Sequence, residues 1–368
     1  MKLGVWSSIA GFGLGAAAIG GAWLWSAGRS GESLPAVERA IAARYEAAAP
    51  VEPGADVFRA TVCAEAPCLL VEVSGLSFLF GAGKDAAAGL RAMGRLRPDL
   101  DAVFLSDINP ASFEGLAAIR RATWLEGRHG PLPVYGPPGV SRVVDGVNLM
   151  MAGADRVTAV ELSSTSLSMD GALLQAPRPA QAPRNGRLTL FDSGVVSVQV
   201  IAVHGAAGDV EWLYRVEADG RVLLIAGCGA AADDLSRAAE GALAAAAIVP
   251  GVSPTLLKVH RDAAARTSRV YQAAALDVVS AACPSFEAQA NALGDARISA
   301  ALVHPAFPLS SVAEARAGWK QDRARNAILP VDLGEVGAGI EFTAAGASLF
   351  EAGQPAREAD SIRNSAKN

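Results

Sequence analysis

The stretch "DAVFLSDINPASFEGL", residues 101–116, is the part of the sequence that decides its interpretation. A run of apolar, strand-forming residues stops at Ser106, a polar turn with Pro110 follows, and a helical pattern then runs through Leu116. Polar side chains at the carboxyl end of a buried strand are where α/β proteins usually hold ligands and catalytic groups. The candidate side chains of this loop are Asp107, Asn109 and Ser112.

The composition is that of a globular protein. The chain has 368 residues, of which 51% are hydrophobic and 19% are charged, enough apolar material for a large core. The net charge is −5, and the Lys and Arg residues are scattered rather than gathered into a basic stripe. We therefore expect no nucleic-acid partner.

The amino-terminal segment differs from the rest of the chain. Residues 3–27 carry no charge and are flanked by Lys2 and Arg29. About 20 apolar residues suffice to cross the hydrocarbon core of a bilayer. Tryptophans stand near both ends of the segment, where interfacial aromatic residues belong: Trp6, Trp23 and Trp25. We expect a single-pass transmembrane anchor over residues 1–28, with the rest of the chain facing the periplasm or the cell exterior.

A cleaved signal peptide is the alternative for this segment. Such peptides have shorter apolar cores and small residues at the cleavage site, whereas bulky Leu24 and Trp25 stand here. Beyond the anchor, the sequence predicts a short helix and linker over residues 29–54, a globular domain over 55–350 and a polar tail over 351–368.

Strand and helix patterns alternate along the predicted domain. Some strands follow one another as hairpins and others are separated by helices, which favours sheets covered by helices. The predicted strands are 57–62, 68–73, 76–80, 102–105, 133–135, 195–203, 211–216, 222–225 and 300–303. The predicted helices are 86–96, 115–125, 140–151, 233–247 and 263–279.

The chain has four cysteines, at positions 63, 68, 228 and 283. Cys63 and Cys68 bracket four residues, so they could face each other across a hairpin as a disulfide if the domain is exported. Two reduced, half-buried thiols are the other interpretation, and the spacing alone does not choose between them.

The order of several segments resembles the metallo-β-lactamase superfamily, in particular the branch of ribonuclease Z and its arylsulfatase-like relatives. The segments are "LLVEVSGLSFLFGAG", "DAVFLSDINPASFEGL", "PLPVYGPPGV", "VSVQVIAVHGAAGDVEWLYRVEADGRVLLIAGCGAAADDL" and "ISAALVHPAF". The resemblance implies an αββα sandwich, in which two mixed sheets lie face to face with helices outside. It also implies descent from hydrolases that use two zinc ions.

The zinc motifs of that family are degenerate in this chain. In its first motif, His-x-His-x-Asp-His, the four ligand positions are occupied by Asp107, Asn109, Ala111 and Ser112. Later motif histidines are kept as His204 and His304, and the bridging Asp position holds Cys228. A residual site of Asp107, His204, Cys228 and His304 would hold at most one zinc, because a zinc ion wants about four strong ligands.

Two hypotheses follow from this pattern. The first is a membrane-anchored, non-catalytic or much-altered hydrolase homologue that binds an unknown protein or small-molecule ligand and holds no cofactor. The second is an active ester or phosphodiester hydrolase that uses one metal or none. Without a metal, a water molecule does not ionise near neutral pH, which favours the first hypothesis.

Overall fold

A computed structural model describes residues 34–47, 54–65, 67–177, 186–204, 210–296, 298–306, 312–322 and 331–351. The chain divides into two units, residues 1–49 and 50–368. In the first unit the described element is helix α1 (Leu34–Ala47). The predicted anchor over residues 1–28 and the tail beyond residue 351 lie outside the described residues. Among the described helices, none is both long and apolar enough to cross a membrane.

The second unit contains two mixed sheets. The eight-stranded sheet, sheet 1, has the strand order β15-β14-β1-β2-β3-β4-β5-β6, and the seven-stranded sheet, sheet 2, has the order β13-β12-β11-β10-β9-β8-β7. Sheet 1 consists of β1 (Phe58–Val62), β2 (Leu69–Val73), β3 (Leu76–Phe80), β4 (Ala102–Phe104), β5 (Leu132–Tyr135), β6 (Leu174–Gln175), β14 (Gly339–Thr343) and β15 (Gly346–Phe350). Sheet 2 consists of β7 (Leu188–Asp192), β8 (Val196–His204), β9 (Val210–Ala218), β10 (Arg221–Ile225), β11 (Ala244–Gly251), β12 (Ala300–Pro305) and β13 (Val331–Leu333).

Helices follow or connect the strands. They are α2 (Ala86–Ala92), α3 (Pro110–Phe113), α4 (Leu116–Leu125), α5 (Val140–Glu161), α6 (Ala232–Ala239), α7 (Pro254–Arg266), α8 (Val270–Ala282), α9 (Phe286–Asp295) and α10 (Val312–Asp322), with a short 3₁₀ turn at Asp170–Ala172. Parallel pairs, such as β3 with β4 and β10 with β11, are the ones joined by helical crossovers.

Three apolar layers hold the sheets and helices together. The inner faces of the two sheets share one buried cluster, which includes Val71 and Phe104 of sheet 1 and Tyr214 of sheet 2. A second cluster packs the outer face of sheet 1 against α2, α4 and α5. A third packs the outer face of sheet 2 against α6, α9 and α10. Each sheet is thus covered by the other sheet on its inner face and by helices on its outer face. The structure has the predicted αββα sandwich.

Two of the predicted helices are wrong in part. The helix predicted over 233–247 ends as α6 at Ala239, and residues from Ala244 form β11, parallel to both β10 and β12. Alanine favours helices, but the small side chains of β11 fit a central strand covered on both faces, and packing overrides propensity. The helix predicted over 263–279 is two helices, separated at Ser268, whose φ is 57°.

Candidate functional site

A cavity of about 340 Å³ lies where the carboxyl ends of β4, β10, β11 and β12 meet, beside helix α8. Its size is in the range of small-molecule sites in proteins. Three of the predicted zinc ligands line it, namely Asp107, Cys228 and His304. The three positions predicted to have lost their ligands line it as well, namely Asn109, Ala111 and Ser112. The stretch singled out in the sequence is thus one wall of a cavity.

The polar side chains of the first loop are engaged in holding the loop itself. Asp107 Oδ1 accepts a hydrogen bond of 2.7 Å from the backbone N–H of Asn109. Asn109 is the N-cap of α3, and its Oδ1 accepts a bond of 3.2 Å from Ala111 N–H. Such bonds are the usual structural roles of Asp and Asn in turns and at helix starts.

Strand β9 fixes the start of this loop from the opposite sheet. The Trp212 N–H donates to the Ser106 carbonyl at 2.7 Å, and the Tyr214 hydroxyl donates to the Leu105 carbonyl at 2.7 Å. Burial raises the pKa of Tyr214 well above its usual value, and the negative charge of Asp107 raises it further. The Tyr214 phenol therefore stays neutral and serves as a fixed donor between the sheets.

Glu211 of β9 is a cavity residue that the sequence analysis missed. Its side chain is buried, and its Oε2 accepts a bond of 3.0 Å from the Gly229 N–H. The turn after β10 passes so close that a Cβ on Gly227 would lie 2.2 Å from Glu211 Oε2. The available signal was a carboxylate, Glu211, directly before the bulky apolar run Trp212-Leu213-Tyr214 of a strand.

His304, at the end of β12, presents one buried nitrogen without a hydrogen bond. Its Nδ1 lies 3.0 Å from the Gly334 carbonyl. Its Nε2 is buried and makes no hydrogen bond of ordinary geometry with the described residues. Burial lowers the pKa of His304, an effect that the backbone groups of Gly334 and Glu65 partly oppose. The ring is therefore neutral near pH 7.

Cys228 cannot serve as the predicted metal ligand, because its sulfur is bonded to Cys283 at the end of α8. A cysteine binds zinc as a thiolate, and the sulfur of a disulfide is not a thiolate. The second disulfide joins Cys63 and Cys68, with Cα atoms 5.2 Å apart, so the structure selects the bridged interpretation of that pair. The described part of the chain contains no free cysteine.

His204 does not share the cavity with the other predicted ligands. It is the last residue of β8, is exposed to solvent and lies opposite Val210 in the ladder with β9. It is absent from the residues that line the cavity. The structure therefore brings Asp107, Cys228 and His304 together at the cavity and does not place His204 among its lining residues.

The residues present do not fit the two zinc ions that the resemblance implies. Within the described residues, no group of three or more His, Cys, Asp or Glu side chains is placed to hold a metal ion. The reasons are visible residue by residue, since Cys228 is oxidised, His204 lies elsewhere, and Ala111 has no donor atom.

Comparisons with known proteins find solved structures of low sequence identity, each with a TM-score below 0.5. No sequence model of a protein family matches the chain, and no curated protein does. Similar solved structures include the metallo-β-lactamase fold protein YhfI from Bacillus subtilis, with 13% identity over 78% of this chain and 100% of that chain (TM-score 0.49). Human tRNase Z, short form, shows 16% identity over 76% of this chain and 96% of that chain (TM-score 0.48). A diphosphatase of the PhnP family shows 12% identity over 79% and 95% (TM-score 0.49).

Identities of this size leave activity and substrate to be inferred from the chain's own site. The fold itself rests on the chain's own architecture. Two mixed sheets share an inner core, helices cover both outer faces, and the quoted sequence segments occur in the expected order along them. The chain has an αββα sandwich fold, which is the architecture that the resemblance of its sequence segments implied.

Proposed function

We propose that this protein is a non-catalytic, or much-altered, homologue of the metallo-hydrolases that binds a ligand in the cavity. The observation that carries the proposal is what the side chains do at the positions where the family has its zinc ligands. Asp107 and Asn109 hold the loop and the start of α3, Ala111 offers no donor, and Cys228 is tied to α8. What is left is a cavity of ligand size at the edge where this fold places its sites.

Hydrolysis without a metal would require another way to make a nucleophile. A serine activated by a histidine is the usual one, and it needs the two side chains within hydrogen-bonding reach. Ser106, Ser112 and His304 all line the cavity. Among the hydrogen bonds of the described residues, none joins either serine hydroxyl to the His304 ring. This supports a binding role over an active hydrolase.

We expect the purified full chain, incubated with zinc and then dialysed, to retain well below one zinc ion per chain. The physical reason is the shortage of strong ligands around any one point of the cavity. We also expect no hydrolysis of ester or phosphodiester substrates above the buffer rate. Inductively coupled plasma mass spectrometry gives the first quantity and a chromogenic ester assay the second.

Two outcomes would contradict this expectation. Two zinc ions per chain would end the binding-protein proposal. A single tight zinc that disappears in His304→Ala, together with hydrolysis, would establish the alternative of a one-metal hydrolase. His129→Ala is the matched control, because that histidine is exposed and lies outside the cavity lining.

We propose further that the protein is held at the membrane by residues 1–28 and that the domain lies outside the cytoplasm. Two disulfides support an oxidising compartment, since cytosolic thiols are kept reduced. The uncharged run of residues 3–27, bounded by Lys2 and Arg29, supports the anchor.

Cell fractionation is expected to place the full chain in the membrane fraction, from which detergent but not high salt releases it. A chain lacking residues 1–28 is the control for the anchor. Alkaline phosphatase fused after Phe350 is expected to be active, because that reporter folds only where disulfides form. Activity of a cytoplasm-only reporter at the same position would overturn the orientation.

A further inference from the structure

Helix α8 lies at the surface and yet is almost free of charge. Within this helix Asp277 is the one charged residue and Leu276 the one buried residue. Its exposed side chains include those of Val270, Tyr271 and Val278, with exposed fractions of 69%, 93% and 67%. A surface helix ordinarily presents charged and polar residues to water. Large apolar side chains gathered on an exposed helix mark a contact site.

One face of α8 joins this exposed surface to the cavity. Tyr271, Ala275, Val278 and Ala282 follow one another at spacings of four, three and four residues, so their side chains share one face of the helix. We call these four residues the α8 strip, which is about 16 Å long. Val278 and Ala282 line the cavity, whereas Tyr271 and Ala275 are exposed and do not. Because Val278 is both exposed and part of the lining, the strip and the cavity form one continuous surface.

The cavity at the end of the strip has apolar walls from both sheets and from α8. The residues of α8 that line it are Val278, Val279 and Ala282. The polar lining residues belong to other parts of the chain, namely the segment from Ser106 to Ser112, strand β9 and the end of β12. The apolar lining residues of the strands are Val62, Leu69, Phe80, Ile225, Ile248 and Val249.

We propose that the cavity and the α8 strip together bind one unbranched aliphatic chain, part of which fills the cavity while the remainder lies along the strip. This inference rests on the proposed binding function and names its ligand class. A chain is the class that fits, because apolar surface continues from a cavity of about 340 Å³ onto the strip. A compact apolar molecule would fill the cavity and leave the strip in water. Removal of methylene groups and of the strip from water supplies the binding free energy.

The test is isothermal titration of the full chain in nanodiscs with the sodium salts of hexanoate, octanoate, decanoate and dodecanoate. Empty nanodiscs provide the background that is subtracted. Each methylene buried in the cavity is expected to tighten binding about fourfold. Each further methylene is covered by the strip on one side, and should tighten binding about twofold. Alkan-1-ols of the same lengths should show the same gain per methylene, because the gain comes from the chain.

Variants on α8 separate the cavity from the strip. Ala282→Phe fills the cavity and should weaken binding of every chain about tenfold. Ser280→Phe is the matched control, because Ser280 is an exposed residue of the same helix and is not among the lining residues. Tyr271→Ser removes the far end of the strip, so dodecanoate should bind about threefold more weakly while hexanoate binding is unchanged. Tyr271 is 93% exposed, so its replacement leaves the fold intact.

Amide hydrogen exchange tests what covers the strip. Addition of dodecanoate is expected to slow exchange in α8. Slowing that needs only a higher protein concentration would assign the strip to a second copy of the chain. Slowing on transfer from an amphipathic polymer to nanodiscs, without ligand, would assign it to the bilayer. Either of these two outcomes would overturn the proposal.

The outcomes of the titration distinguish this inference from the function on which it rests. Failure of every chain to bind, in a protein that also lacks zinc and hydrolysis, would overturn the ligand class alone. Affinity that is independent of chain length, or a gain confined to one head group, would do the same. Tighter binding of adamantane-1-carboxylate, a compact molecule, than of decanoate would also overturn it. Two zinc ions with hydrolysis would instead overturn the proposed function itself.

Discussion

Replacement of Asp155 by alanine is expected to lower the free energy of unfolding by about 3–5 kcal/mol. Asp155 of α5 and Arg120 of α4 are both buried, with exposed side-chain fractions of 2% and 0%. Arg120 Nη1 donates to Asp155 Oδ1 at 3.1 Å, and Nη2 donates to Oδ2. Without the carboxylate, the guanidinium stays buried, and within the described part of the chain its remaining side-chain acceptor is the Asn148 amide oxygen, 3.3 Å from its Nε.

A second arginine makes the loss more severe. Arg128 is also buried, and its guanidinium donates to the Arg120 carbonyl at 3.0 Å and to Thr123 Oγ1 at 3.1 Å. Burial lowers the pKa of Arg128 to about 10, and the positive charge of Arg120 contributes in the same direction. Removal of the Asp155 carboxylate thus leaves the Arg120 charge unpaired beside a second buried guanidinium group, that of Arg128.

Urea denaturation measures the effect, with the free energy extrapolated to water. Asp145→Ala on the same helix is the matched control, because Asp145 is exposed and its replacement should cost less than about 0.5 kcal/mol. The double variant Arg120→Met/Asp155→Leu should recover most of the loss, since apolar side chains avoid the unpaired buried charge. A cost below 1 kcal/mol for Asp155→Ala would show that the pair is hydrated in solution.

Local cues in the sequence predicted sheets covered by helices, whereas the αββα arrangement was an implication of the resemblance in segment order. The alternation of apolar and polar residues, together with turn residues, marks the hairpins of β1 to β3. The ends of apolar runs mark the loops at the carboxyl ends of the strands. The alanine-rich segment from Ala244 misled the prediction, because helix propensity is intrinsic to the residue whereas the position of β11 is decided by its neighbours β10 and β12.

The site was predictable only where it depends on residue type. The absence of a donor at Ala111 can be read from one letter, and so can the loss of imidazole at Asn109. Whether Cys228 is a thiolate depends on a partner 55 residues away, and four cysteines allow three pairings. The exposure of His204 and the burial of Glu211 depend on how β8 and β9 meet the sheet edge, which no short pattern specifies.

The Cys228–Cys283 disulfide is expected to contribute about 4 kcal/mol to stability, and the Cys63–Cys68 disulfide about 2 kcal/mol. The difference follows from chain entropy, because the first bond closes a separation of 55 residues and the second a separation of 5. Guanidinium denaturation of the Cys228→Ala/Cys283→Ala and Cys63→Ala/Cys68→Ala variants compares the two directly. Each serves as the matched control for the other, since both remove two sulfurs.

The same pair of variants connects stability with the cavity. Cys283 is the C-cap of α8, and three α8 residues, Val278, Val279 and Ala282, line the cavity, so loss of this disulfide should also speed amide hydrogen exchange in α8. Loss of Cys63–Cys68 should leave exchange in α8 unchanged, since the β1–β2 hairpin remains held by its backbone ladder. Equal stability costs for the two variants would contradict the entropic argument. Unchanged exchange in α8 without Cys228–Cys283 would mean that α8 is held over the cavity by its packing alone, through the cluster that includes Leu276 and Leu257.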